Sequence, residues 1–199
     1  PGRGRALGVG EVAFRGQITP KTKLVTYEID MRRVIQRSLH MGIGELQLGT
    51  SDRVITGGVD ALNTIFMYMC FSKTPAMSAT GHCRPFSQSA DGTMMGEGGG
   101  MLALRRLEDA ERDGDAIYAV IRGLGSSSDG RYKSIYAPNP DGQAKALRRT
   151  YASAGIDPAT IELVEAHGTG TKAGDAAEIE ALTRVYRESG RPGRWVALG

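Results

Sequence analysis

An α/β fold of alternating strands and helices is predicted by three observations. Short apolar runs end in glycine, as in Arg53-Val54-Ile55-Thr56-Gly57-Gly58. Other runs carry apolar residues at helical spacing, as in Gln143 to Ala154. The composition, with 28 glycines, 40% hydrophobic and 24% charged residues, is that of a turn-rich globular chain. At 199 residues there is room for one sizeable domain or two small ones.

Taken in order, Val12, Phe14, Gly16 and Ile18 alternate, as do Val25, Tyr27, Ile29 and Met31, with Thr19-Pro20-Lys21-Thr22-Lys23 between them. Period two around a turn predicts a hairpin, which alone is marginal in water. The strand ending at Gly58 comes next. The sulfur-rich and aromatic run Ile65 to Phe71 then reads as buried packing, since thioethers fill irregular gaps. Gly96-Glu97-Gly98-Gly99-Gly100 lacks the glycine spacing of a dinucleotide loop and the Lys-Ser/Thr of a phosphate loop. Those glycines instead let backbones pass closely before a strand at Met101 to Leu104. Arg105 to Arg112 predicts a short, charged, exposed helical turn, and Ile117 to Ile121 another strand.

Gln143 to Ala154 predicts a helix with Ala144, Leu147 and Tyr151 on one stripe and Gly155 as its stop. A strand follows at Ile161 to Glu165. The last helix is expected to open with Asp175 as N-cap and Glu178 three residues on, and to bury Ile179, Leu182 and Tyr186. Strands alternating with helices predict a largely parallel sheet covered on both faces.

The 25 basic and 22 acidic side chains leave a net charge of +3 with no basic stretch, which argues against nucleic acid as a partner. Modest basic patches suit an acidic protein partner. No run reaches the ~20 apolar residues of a membrane span and no leader pattern opens the chain, so a cytoplasmic location without membrane contact is expected. Two cysteines, Cys70 and Cys83, are too few for a disulfide scaffold and lack paired zinc spacing, so no metal is expected. A start at Pro1 and an uncapped, strand-like finish at Trp195 to Gly199 suggest a piece of a longer protein.

Chemistry concentrates at His167. It follows a strand and opens Gly168-Thr169-Gly170-Thr171, which sets an imidazole and two hydroxyls on a small-residue loop where α/β sheets hold ligands. His82 and Cys83 are adjacent, but neighbours in an extended segment point apart and cannot form a nucleophile–base pair.

Read in order, several motifs resemble a beta-ketoacyl synthase, with the ketosynthases of polyunsaturated fatty-acid synthases most alike. They are Gly57-Gly58-Val59-Asp60, Phe66 to Ala76, Cys83-Arg84-Pro85-Phe86, Asp91-Gly92, Gly96-Glu97-Gly98, Glu165 to Thr171, Gly174-Asp175 and Glu178. The likeness covers about residues 47–199. About residues 1–44, with Arg5 to Val12, Phe14, Gly16-Gln17, Val25-Thr26-Tyr27 and Arg33-Val34 to Met41-Gly42, are similar to a hot-dog-fold beta-hydroxyacyl carrier-protein dehydratase.

The resemblance implies a partial thiolase-like, layered αβαβα fold at 45–199, preceded at 1–44 by a hot-dog-like fragment that contributes the hairpin. It implies decarboxylative condensation in fatty-acid or polyketide synthesis, with His167 catalytic and Thr169 and Thr171 binding the phosphopantetheine arm of an acyl carrier protein. Glu97 and Asp175 would hold loops, and no cofactor would be bound. The complete parent would be a homodimer. The family's nucleophilic cysteine belongs upstream of the Gly57-Gly58 strand, and its second histidine beyond Gly199. Neither Cys70 nor Cys83 matches the nucleophile's motif, so the isolated chain is expected to be inactive, and its uncovered apolar surface is expected to drive aggregation or oligomers. Two other readings stay open: a dehydratase or isomerase fragment, and a non-catalytic partner of a complete ketosynthase.

Overall fold

In the computed structural model, residues 12–15, 29–61, 63–74, 76–128 and 137–199 are described. The elements run β1 (Val12–Arg15), α1 (Ile29–Leu48), β2 (Val54–Asp60), α2 (Ile65–Ser72), β3 (Gly98–Arg106) and α3 (Leu107–Arg112). They continue with β4 (Ala119–Ile121), α4 (Pro140–Ala154), β5 (Leu163–Val164), α5 (Lys172–Glu188) and β6 (Ala197–Leu198).

Alternation in β2 and β3 builds the first core. One face turns Val54, Thr56, Leu102 and Leu104 toward α1, where Ile43, Leu46 and Leu104 are closed from water. The opposite face leaves Ile55, Val59 and Met101 largely exposed. Gly57 is obligatory at this pairing, because a Cβ there would lie 2.1 Å from the Gly100 carbonyl oxygen. Arg106 ties α1 to the sheet: its guanidinium donates to the Leu46 and Ser51 carbonyls, each at 2.9 Å, and pairs with Asp52 and Asp109.

The second core joins α4 and α5 through Ala144, Ala181 and Val185, with Leu147 and Tyr151 packed on it. The Tyr151 and Tyr186 hydroxyls meet at 2.5 Å, and Trp195 stacks edge-on to Tyr186 with Arg191 over its ring. Burial pushes the Tyr186 phenol well above its ordinary pKa, with the Tyr151 hydrogen bond adding to the shift. Segment 122–125 links the two cores. Leu124 packs on the first, while a Cβ on Gly123 or Gly125 would strike Ala154 or Thr150 of α4. The Ser153 hydroxyl donates to the Leu124 carbonyl across the same seam.

Helix α4 starts at Pro140, three residues before the expected Gln143, but its Ala144, Leu147 and Tyr151 stripe is buried or half-buried and Gly155 ends it at φ +63°, as expected. Several other expectations are corrected. The four-stranded sheet has order β2-β3-β1-β4 and every pairing in it is antiparallel; among the described strands only β5 and β6 pair in parallel. Alternation of elements along a chain does not fix strand direction, and the long return from β2 to β3 brings the chain back antiparallel. Strand β1 of the expected hairpin pairs with β3 and β4, and Ile29 and Met31 lie in α1. The turn at 19–23 and residues 25–28 lie outside the described residues.

The run Ile65 to Phe71 forms α2 but buries nothing: Ile65 is 80% and Phe66 71% exposed. Apolar content made it read as core, yet none of the described elements packs over it. In α3 the reverse holds, since Asp109 and Ala110 are buried under a charged surface. Helix α5 begins four residues earlier than expected. Its N-cap is Thr171, whose hydroxyl accepts from the Gly174 amide, and Ile179 faces solvent while Ala177, Ala181, Val185 and Tyr186 are buried.

Candidate active site

Strand β5 delivers the chain to the loop His167–Thr171, which turns back over the segment Cys83–Gly92. The turn requires left-handed backbone at Gly168 and Gly170, with φ of +55° and +71°. Close approach adds a second demand: a Cβ on Gly170 would lie 2.7 Å from the Gly92 carbonyl oxygen, and one on Gly168 would press on Pro85. The Gly92 amide donates to the Gly170 carbonyl at 3.0 Å. The two glycines let the loop lie flat on its neighbour.

The loop is held from α5. Glu178 accepts the His167 amide at 2.6 Å and the Gly168 amide at 2.9 Å, one on each carboxylate oxygen. Asp175 accepts the Gly170 amide at 3.0 Å on one oxygen and the Phe86 amide at 2.7 Å on the other. Positions i and i+3 place both carboxylates on one face of the helix. Their spacing mimicked a capping box, but the donors they satisfy lie in the loop and across the fold at Phe86. Asp175, expected to hold a loop, does so. Glu97 likewise accepts the Asn63 amide at 3.0 Å.

His167 is half-buried. The Thr169 and Thr171 hydroxyls meet at 2.9 Å, and the Thr171 amide donates to the Thr169 hydroxyl oxygen at 3.3 Å. With Thr169 donating toward Asp175 and Thr171 toward Thr169, the Thr169 oxygen has both lone pairs occupied. Thr171, already accepting from Gly174, keeps one lone pair for an external N–H. His167, Thr169 and Thr171 therefore lie on one loop, with the Thr169 hydroxyl engaged by its neighbours.

Cys83 sits under this loop, its sulfur 3.6 Å from the Thr169 carbonyl oxygen and 3.9 Å from that of Gly168. Cys70 is exposed on α2. Asp91 anchors the segment that supports the loop: the Ser78 hydroxyl, above all, and the Thr80 amide and hydroxyl hold its carboxyl below the usual range. Among the described residues, no group of three or more His, Cys, Asp or Glu could hold a metal ion. Two cavities lie elsewhere, one of about 370 Å³ along α2 by Ile65, Tyr68 and Lys73, the other of about 210 Å³ by Arg53, Ile55 and Ile117. Sequence reasoning missed the turn at Phe86, a non-glycine residue at φ +58°. Its only sequence signal was its place in the motif Cys83 to Phe86.

Residues 37–110 match the beta-ketoacyl synthase N-terminal domain, residues 118–199 the beta-ketoacyl synthase C-terminal domain, and residues 2–58 a FabA-like domain. A polyunsaturated fatty acid synthase protein of Thraustochytrium sp. is 44% identical over 181 residues, covering 87% of this chain and 6% of that protein. Polyketide synthase PksN of Bacillus subtilis is 42% identical over 153 residues, covering 77% and 3%. The chain thus spans only a small part of the curated relatives it matches. Among solved structures, the ketosynthase from module 6 of the bacillaene synthase of Bacillus subtilis 168 superposes with a TM-score of 0.80 at 38% identity, covering 83% of this chain and 30% of that one. The PfaC keto synthase–chain length factor gives 0.78 at 34%, covering 83% and 18%. The partial thiolase-like fold expected from the motifs is that of these neighbours. Among the described residues no helix is long and apolar enough to cross a membrane. Two domain matches in order, and relatives at 38–44% identity over most of the chain, place the chain in the beta-ketoacyl synthase family.

Proposed function

We propose that this chain is a portion of a beta-ketoacyl-[acyl carrier protein] synthase, a cytoplasmic condensing enzyme of fatty-acid or polyketide synthesis that works as a homodimer. Its division would be a dehydratase-like segment at 1–44 and the ketosynthase portion at 45–199. The observation that carries the reading is the His167–Thr171 loop, pinned by Glu178 and Asp175 at the end of β5. Condensation needs a carrier-bound malonyl unit to lose carbon dioxide and the resulting enolate to attack an acyl thioester. Negative charge then collects on the thioester oxygen. A neutral imidazole fixed beforehand stabilises that charge, and one such donor contributes about 3 kcal/mol. His167 is that donor. The remaining lone pair of Thr171 accepts an amide N–H of the phosphopantetheine arm, and the Thr169 hydroxyl fixes Thr171 in that orientation.

Neither thiol of this chain is placed as the acyl-accepting nucleophile. Cys83 lies beneath the loop and Cys70 on a bare helix. Incubation with radiolabelled acyl carrier protein should therefore leave the chain unlabelled. A labelled peptide containing either cysteine would overturn that expectation. Binding of a malonyl-loaded carrier protein should weaken about tenfold in Thr171→Val and in His167→Ala, the equivalent of ~1.4 kcal/mol. Unchanged binding in both variants would remove the loop from the reaction. The match of residues 2–58 supports a second reading, a dehydratase fragment. Turnover of a 3-hydroxyacyl thioester would favour it.

A further inference from the structure

Phe86 holds φ +58°, a region that a bulky side chain enters only when its surroundings impose it. Its amide is bonded to Asp175, and its ring and Pro85 lie against Gly168. The same carboxylate holds Gly170, and the neighbouring Glu178 holds His167 and Gly168. Four backbone amides from two distant segments thus end on two carboxylates one helical turn apart.

We propose that Asp175 and Glu178 are positioning residues that set the backbone of His167, and that Asp175 does so by holding the Phe86 turn in its left-handed conformation as a floor for the loop. Each carboxylate offers two acceptor oxygens and no donor, and each uses both. An amide side chain of the same shape keeps one acceptor and turns an N–H against a backbone N–H. Glu178→Gln thereby takes one anchor from the loop, and Asp175→Asn can no longer hold both the Gly170 anchor and the Phe86 bond that maintains the unfavourable φ. The proposal deepens the reading of His167 as the reacting imidazole, but its test does not use activity.

Cys83 reports on the loop that covers it, and exposed Cys70 is an internal reference. In the full chain, labelling by a thiol reagent followed by peptide mapping gives both rates together. Glu178→Gln and Asp175→Asn should each raise the Cys83 rate at least fivefold and leave the Cys70 rate unchanged. Exchange of the Gly168 and Gly170 amides with deuterium should quicken in step. Phe86→Gly, which removes the cost of the positive φ, should return the Asp175→Asn chain to a slow Cys83 rate and leave Glu178→Gln fast. A Cys83 rate unmoved in both variants, or no rescue by Phe86→Gly, overturns the proposal. A parallel rise at both cysteines means general loosening and also counts against it. If the loop responds as stated while His167→Ala leaves carrier-protein binding intact, the positioning holds and the role of His167 fails separately.

Discussion

In the α4–α5 pair the apolar stripe of each helix meets the other: Ala144, Ala181 and Val185 are closed from water, and the Tyr151 and Tyr186 hydroxyls satisfy each other at the rim. Helix α2 is more apolar along its length, yet none of its residues is buried, and the sheet face carrying Ile55, Val59 and Met101 is equally bare. Apolar sequence is therefore no measure of where the core lies. A side chain contributes by what covers it, and here the described residues supply a cover for one region and not for the other.

The contrast sets the order of expected effects. Val185→Ala should cost about 2 kcal/mol of unfolding free energy by urea titration, the transfer loss plus the cavity left at a closed site. A cost near zero would show that α4 and α5 do not share a core. Tyr151→Phe should cost about 1 kcal/mol, because it strips the hydrogen bond from a buried phenol. The same phenol predicts a pH dependence. Tyr186 has a raised pKa in the folded chain and titrates near 10 when unfolded, so its contribution is complete below pH 10 and is lost as pH rises beyond it. Thermal melts in Tyr186→Phe should fall less steeply across that range. Arg148→Ala breaks an ion pair with Glu188 whose side chains are 48% and 52% exposed, and should leave the urea midpoint almost unmoved, because solvent screens the pair.

Phe66→Ser on α2 should change stability by less than about 0.5 kcal/mol and move the gel-filtration profile toward smaller species. A loss comparable to Val185→Ala would mean that α2 is covered after all.

What was legible in the sequence was local. The α4 stripe and its glycine stop needed only nearest turns, and the loop after β5 was found because small residues follow His167 directly. What was not legible depended on partners far along the chain. Asp175 and Glu178 looked like a cap because capping is a local use of a carboxylate, whereas their donors include Phe86, which is 89 residues away. Strand direction, the bare face of α2 and the floor under His167 all turn on such distant pairings.

Helix α1 runs unbroken from Ile29 to Leu48, through the stretch where the FabA-like match and the synthase match overlap. A helix has no seam, and each residue advances the chain by about 100° around its axis. Ile43 and Leu46, held on the sheet, therefore set the phase of whatever sequence enters from the N-terminal side. Adding one alanine ahead of Ile43 tests that phasing where a point substitution cannot, and inserting a full turn restores it.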